Sequence, residues 1–144
     1  RCAAVFVEGT ERVRVEQCTF DRLDGSGVQF SRYNRDGAVV GSEFAFLGSA
    51  GIVLLGSSAG IDGTAGDFPL RTLLDLNLVH DGGVYSKNYL GGSIFQALAA
   101  ETTISRTLVW NTPRACITFN DGFGGGDMLK SSLLFNCNRE SSDT

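Results

Sequence analysis

The chain has 144 residues, which is the usual size of a single domain. Its net charge of −4 and its isoelectric point near 4.9 come without a cluster of Lys or Arg, so composition excludes the basic surface that nucleic-acid binding needs. No apolar run reaches the ~18 residues of a transmembrane helix, and we predict no membrane span.

Short runs in which apolar and polar residues alternate occur along the whole chain. They include Val13–Val15, Val28–Phe30 and Ile117–Phe119, each with a polar residue in its centre. A period of two predicts half-buried β-strands. No segment keeps the i, i+3, i+4, i+7 apolar spacing over the length of a helix, so we predict an all-β protein.

The strands belong to a repeat. Phe20–Phe30 and Phe44–Leu54 align with apolar residues and glycines in equivalent positions, and later segments fit the same pattern. An apolar residue also stands five positions before each copy, at intervals of 24 to 34 residues. These preceding residues are Val15, Val39, Leu73, Ile104 and Leu129.

Self-similarity at this period predicts a solenoid. We predict that residues 1–144 form one right-handed parallel β-helix of about five rungs, each with three short strands. A β-sandwich ranks second, because it also shows turn signals every ~8–12 residues. It does not predict that the same position recurs from one copy to the next.

Two copies are longer than the others, and we predict loop insertions near residues 56–70 and 82–93. Such insertions lie on one side of a solenoid, often the binding side, although a surface loop without a role is equally expected. The first residues fit late positions of a rung and the last ones an early position. We therefore expect a fragment of a longer helix, a processed chain, or protein neighbours that cap the open rung ends.

The four cysteines are Cys2, Cys18, Cys116 and Cys137. An even number suggests disulfides, but the four occupy different positions of the repeat, so we predict buried free thiols. No Cys-x-x-Cys pair or His cluster indicates zinc.

Polar residues stack at one corner of the predicted rungs. Alignment places His80, Asn111 and Asn136 at the position of Arg22. Stacked amides can hydrogen-bond side chain to side chain, which is a structural role. The alternative for His80 is acid–base chemistry or ligand contact. The following Asp81 would suit a histidine that is oriented by a carboxylate, but adjacent residues rarely face each other.

Two arginines, Arg114 and Arg139, align on neighbouring rungs and need a carboxylate or an anionic ligand between them. Glu140 and Asp143 follow closely, so an ion-pair network or a binding site is predicted. Two acids are also the minimum for cleaving a glycosidic bond.

The most distinctive local motif is the turn-forming segment Asn120–Asp127. No Gly-Lys-Ser/Thr follows it, which excludes a phosphate-binding loop. Asp121 and Asp127, or Asp62 and Asp67, could bind calcium, but neither pair has EF-hand spacing. We expect no other cofactor.

The rung pattern resembles that of the pectate-lyase-like superfamily of right-handed parallel β-helices. The segments LVHDGGVYSKN, FQALAAETTI, PRACITFNDGFGGGDMLKSSLLFNC and NRESSD resemble a group of large secreted β-helix proteins. That group is similar to β-helix glycoside hydrolases that act on xylan or fucose-containing glycans. In it, the last of these segments usually continues into Asp-His-Gly-Pro, whereas Thr144 follows Asp143 here.

The resemblance implies a polysaccharide or oligosaccharide partner and an extracellular or secretory location. It also implies a glycoside hydrolase. A lyase is less favoured because the chain is acidic. One expectation is that this segment is inactive by itself. The implied catalytic residues are Glu140, Asp143 and His80. The implied substrate-binding residues are Arg114, Arg139, Lys87, Gln96, Asn120 and Asp121.

The alternative is a non-enzymatic structural or adhesive β-helix that presents loops to a protein partner. It predicts exposed aromatic or apolar side chains around Tyr85, Tyr89, Leu90 and Phe95.

Overall fold

The computed structural model describes residues 3–60, 62–86, 93–120 and 124–138. Within these ranges the chain forms short β-strands and no helix, and no helix suited to crossing a membrane is found there. In chain order the strands are β1 (Ala3–Glu11), β2 (Arg14–Glu16), β3 (Thr19–Asp21), β4 (Ser26–Arg35), β5 (Ala38–Val40), β6 (Glu43–Ala45), β7 (Ile52–Leu55), β8 (Pro69–Leu70), β9 (Leu73–Asp75), β10 (Leu78–His80), β11 (Ile94–Ala97), β12 (Thr103–Ser105), β13 (Leu108–Trp110), β14 (Ile117–Asn120), β15 (Met128–Lys130) and β16 (Leu133–Phe135).

These strands stack into three parallel sheets. Sheet A has the order β1-β4-β7-β11-β14, with β8 paired beside β4. Sheet B has the order β2-β5-β9-β12-β15, and sheet C has the order β3-β6-β10-β13-β16. Each circuit of the chain adds one strand to every sheet, so the described residues form a parallel β-helix of five rungs, as predicted. The β-sandwich alternative is wrong, because the paired strands are all parallel.

The core is a set of apolar columns that run along the helix axis. Successive side chains of a strand point to opposite faces, so one residue of each three-residue strand faces inward. In sheet C the rings of Phe20 and Phe44 stack with centroids 4.7 Å apart, and Val79 and Val109 continue the column. Burial of such side chains stabilises the fold by about 1.5–3 kcal/mol each.

The predicted sheet B column is wrong at one position. Leu74, which is fully buried, pairs with both Val39 and Ile104, whereas Leu73 pairs with Ala38 and lies on the outer side. Two adjacent leucines both satisfy the apolar pattern, and a shift by one residue exchanges the two faces of a strand. Because the insertion before β9 changes the length of this repeat, spacing along the chain does not show which of the two leucines faces inward.

The corner between sheets B and C is stabilised by a hydrogen-bond ladder that the sequence did not predict. From Ser42 onward, the side-chain oxygen of each corner residue accepts from the backbone N–H of the corner residue one rung earlier. Just before these residues the chain takes positive φ, for example at Leu76 and Arg106, a conformation that costs non-glycine residues about 1–2 kcal/mol. The ladder runs through Cys18, Ser42, Asn77, Thr107 and Ser132.

The prediction of free thiols is wrong for two of the cysteines. Cys116 and Cys137 form a disulfide with their Cα atoms 5.3 Å apart, while Cys18 is free but exposed and Cys2 lies outside the described residues. Cys116 occupies the repeat position of Gly27, where a Cβ would clash with the Phe44 ring. In the later rung the small Val109 replaces the phenylalanine, which leaves room for an inward sulfur.

The insertions run along the outside of the helix. In the first, Asp67 accepts from the guanidinium of Arg32 at 2.7 Å, and Arg35 donates to the carbonyl oxygen of Phe68 at 2.6 Å. At the start of the second, the backbone N–H groups of Val84 and Ser86 donate to carbonyl oxygens of residues 47 and 48. Residues 87–92 lie outside the described ranges.

Candidate functional site

The outer face of sheet C is the most unusual surface of the described chain. Its strands have the sequences LVH, LVW and LLF in three successive rungs, with only the central residue facing the core. The first and third residues therefore point outward although most are apolar. We call this surface the sheet C platform, and it comprises Glu43, Leu78, Leu108 and Leu133 in one column and His80, Trp110 and Phe135 in the other.

The second column is a stack of flat rings. The rings of His80 and Trp110 lie 4.1 Å apart between centroids and are nearly parallel, with 9° between their planes. Trp110 and Phe135 follow with centroids 5.8 Å apart and 1° between planes. Phe46 stands edge-on to His80, with centroids 6.1 Å apart. The rung spacing of about 4.8 Å sets this stacking, because equivalent residues of neighbouring rungs lie directly over one another.

The platform remains open to solvent in the described chain. Leu133 is 56% exposed and Phe135 is 44% exposed, and Leu78 and Leu108 are also exposed. A contiguous apolar surface that is not buried by the fold marks an interaction site.

A polar ladder borders the ring column. Asn111 donates from Nδ2 to Oδ1 of Asp81 at 3.0 Å, and Asn136 donates to Oδ1 of Asn111. The predicted stacking of the two asparagines is therefore confirmed. The prediction for His80 is wrong by one position, because Asp81 occupies that corner slot and His80 pairs with Ala45 and Trp110.

The imidazole of His80 lies between two carboxylates. Nδ1 is 2.9 Å from Oδ2 of Asp81, and Nε2 is 3.2 Å from Oε1 of Glu43. The expectation that His80 and Asp81 do not meet is wrong. Asp81 has φ of 49°, and this turn brings its carboxylate back to the preceding side chain. The imidazolium can donate to both acids, whereas the neutral ring can donate to only one of them.

The imidazole ring and its two hydrogen bonds therefore span the distance between the two carboxylates. The imidazole fills the space between them, which in a glycosidase acid pair holds the glycosidic bond. Glu43 is the more accessible of the two, with 45% of its side chain exposed against 24% for Asp81. Asp21 lies on the same face one rung earlier and pairs with Arg22, whose guanidinium lies 5.1 Å from the Phe46 ring centroid.

The predicted substrate-binding residues that the structure describes do not join the platform. Gln96 lies on sheet A, is 4% exposed, and donates from Nε2 to Oδ2 of Asp127 at 3.1 Å. Asn120 ends β14 of the same sheet. Arg114 follows β13 and lines an open cavity of about 520 Å³ together with the Cys116–Cys137 disulfide and Ile117. Lys87, Asp121, Arg139, Glu140 and Asp143 lie outside the described residues.

The carboxylates considered for calcium have protein partners. Asp127 accepts from the backbone N–H of Thr102 at 2.8 Å. The hydrogen bond from Arg32 holds the pKa of Asp67 below its ordinary value, and hydrogen bonds from Thr64 do the same for the pKa of Asp62. In the described ranges no group of three or more His, Cys, Asp or Glu side chains is placed to hold a metal ion.

The surface predicted for a protein partner is only half correct. Tyr85 is 74% exposed, as expected, but Phe95 is 6% exposed and packs with Ala50 and Val53. Tyr89 and Leu90 lie outside the described residues.

Sequence reasoning missed the platform because its strands lack alternation. The recurring all-apolar triplets were a usable signal, since a three-residue strand with one inward side chain must point the other two outward.

Comparison with known proteins supports the fold. No family model matches the chain, and no curated protein matches it. A solved structure described as a glycoside hydrolase is similar, with a TM-score of 0.68 and 20% sequence identity. The match covers 86% of this chain and 21% of that one, so the chain spans about a fifth of its length. The chain thus has a glycoside hydrolase-like β-helix fold.

Proposed function

We propose that this chain binds a polysaccharide or oligosaccharide along the sheet C platform. The observation that carries the proposal is the column of nearly parallel rings formed by His80, Trp110 and Phe135, of which His80 and Trp110 are half-buried and Phe135 is exposed. Sugar rings have apolar C–H faces and polar hydroxyl rims. Because the stacked rings cover one another's faces, they offer their outward edges, and these edges together with the exposed leucine column form the matching apolar surface.

The polar ladder supplies the other half of such a site. Asp81, Asn111 and Asn136 border the rings with carboxylate and amide groups, which can hydrogen-bond hydroxyl groups. A ligand with an apolar face and a polar rim therefore suits this edge better than a purely apolar one. The fold likeness to a glycoside hydrolase agrees with this class of ligand.

The test uses a probe that the chain already contains. Trp110 is the single tryptophan, so intrinsic fluorescence reports directly on the platform. Titration with xylohexaose, cellohexaose or laminarihexaose is expected to change this emission saturably. Phe135→Ala is expected to weaken binding about three- to tenfold, the range that an aromatic contact supplies.

Phe6→Ala is the matched control, because Phe6 is an exposed phenylalanine on the outer side of sheet A. It is expected to leave affinity unchanged. Equal losses for the two variants, or no response to oligosaccharide panels of any composition, would contradict the proposal.

Cleavage of the bound glycan is the finer form of this proposal. His80 contacts two acids at the platform edge, and Glu140 and Asp143 remain predicted catalytic residues. Release of reducing ends from xylan, lowered by E140Q or by E43Q, would support hydrolysis and identify the acids. Binding without release would leave a binding module.

A protein partner is the second candidate, and the column of Leu78, Leu108 and Leu133 favours it. A sugar needs the rings and amides, whereas a protein surface would use the exposed leucines. L108A should then reduce partner binding more than oligosaccharide binding.

The disulfide supports the proposed extracellular or secretory location. Cys116–Cys137 would persist in an oxidising compartment but not in a reducing one.

A further inference from the structure

Charge on the platform determines which glycans it can accept. On the strands of sheet C and the corner that follows them, the ionisable residues of the described chain are Asp21, Arg22, Glu43, His80 and Asp81. Three of these are acids. Arg22 pairs with Asp21, and His80 is shared by the other two. These five described side chains therefore sum to a net negative charge whether or not the imidazole is protonated.

The acids lie at the His80 end of the ring column. Oxygens of Glu43 and Asp81 are 3.2 and 2.9 Å from ring nitrogens of His80, the first ring of the stack. Both side chains are partly exposed, so their charge acts on a ligand as well as on the histidine. A carboxylate or sulfate group of a sugar unit on this ring would be repelled, while hydroxyl groups can donate to the same oxygens.

We infer that the platform selects glycans without acidic groups, and that a protonated amino sugar binds at least as well as a neutral one. The inference rests on the proposed function and names its ligand class. Interaction of like charges at a partly solvated surface is modest, so we expect about tenfold discrimination.

The experiment compares three hexamers of similar length by Trp110 fluorescence. Xylohexaose or cellohexaose is the neutral probe, hexaglucosamine the cationic probe and hexagalacturonate the anionic probe. At ~0.01 M ionic strength, hexagalacturonate is expected to bind about tenfold more weakly than the neutral probe. At ~1 M the Debye length falls to about 3 Å, and the difference should largely vanish.

Substitutions test the source of the selectivity. The E43Q and D81N variants keep side-chain hydrogen bonding and remove charge, and together they should raise the affinity for hexagalacturonate several-fold relative to the affinity for the neutral probe. E8Q is the control, since Glu8 is exposed on the outer side of sheet A.

The outcomes separate the two proposals. Hexagalacturonate binding as tight as that of the neutral probe, or selectivity that survives the double substitution, overturns the inference alone. Failure of all three probes to bind overturns the proposed function and this inference with it.

Discussion

Sheets B and C have nearly the same backbone and opposite outer faces. Both contain five three-residue strands in parallel register, each with a central apolar residue on the inward side. On sheet B the outward Asp75 accepts from Ser105 at 2.6 Å and pairs with Arg106. On sheet C the corresponding positions hold His80 and Trp110, which stack on each other and are half-buried. The rung geometry is thus common to both, and the outward side chains alone distinguish a face closed by an ion pair from one that carries a column of stacked rings.

A substitution in the shared core should affect both faces and produce the largest effect. Phe44→Ala removes a fully buried ring that stacks on Phe20, and we expect it to lower the free energy of unfolding by about 3–5 kcal/mol. Urea unfolding followed by circular dichroism measures the change.

The exposed Phe46, two residues later, serves as the comparison for that prediction. Phe46→Ala is expected to cost roughly 0.5–1 kcal/mol, because it loses only ring-edge and guanidinium contacts. Similar losses for both variants would mean that the inward column does not hold the rungs together.

Removing the sheet B ion pair should lower stability but leave glycan binding intact. Asp75→Asn loses a buried carboxylate that Arg106 and Ser105 hydrogen-bond, at an expected cost of about 1–3 kcal/mol. Urea unfolding measures this cost, and Trp110 fluorescence titration is expected to show unchanged affinity.

The same pair predicts an acid-sensitive contribution to stability. The hydrogen bond from Arg106 holds the pKa of Asp75 below its ordinary value. A carboxylate with a depressed folded-state pKa contributes fully above its unfolded value of about 3.9, and this contribution is lost as pH falls through the folded-state pKa. As pH falls, the free energy of unfolding should therefore decrease less steeply in Asp75→Asn than in the parent chain. An equal or steeper decrease in the variant would contradict the role given to this pair.

The comparison also explains which features the sequence could predict. Inward positions repeat because the core repeats, so Phe20, Phe44 and Val109 were aligned correctly and the β-helix followed. Outer positions are not constrained by packing, and the triplets of sheet C gave no alternation from which to predict a face. The choice between Leu73 and Leu74 failed for a related reason, since both residues are apolar.

Contacts across corners were the hardest to predict. The disulfide joins different repeat positions of adjacent rungs, and it depends on space that Val109 leaves. The contact between His80 and Asp81 depends on a positive φ at a non-glycine residue, which residue type alone did not reveal. The candidate acids Glu140 and Asp143 remain predictions.

The polar ladder beside the rings should give the smallest and most specific effect. Asn111 has φ of 54°, so Asn111→Gly removes its amide without backbone strain. The variant loses the hydrogen bonds to Asp81 and from Asn136, and we expect a loss of about 0.5–1.5 kcal/mol in stability. Oligosaccharide affinity should fall roughly three- to tenfold in the Trp110 titration, because one hydroxyl contact disappears.

Leu76→Gly is the matched change at the corner next to sheet B, where φ is 57°. It removes an exposed side chain from the same backbone conformation, and oligosaccharide affinity should stay as in the parent chain. If both glycine variants weaken binding equally, the effect lies in the rung backbone, and the polar ladder has no part in recognition. If only Asn111→Gly weakens binding, the hydrogen bonds of the polar ladder take part in recognition, and the two faces differ at the level of single hydrogen bonds.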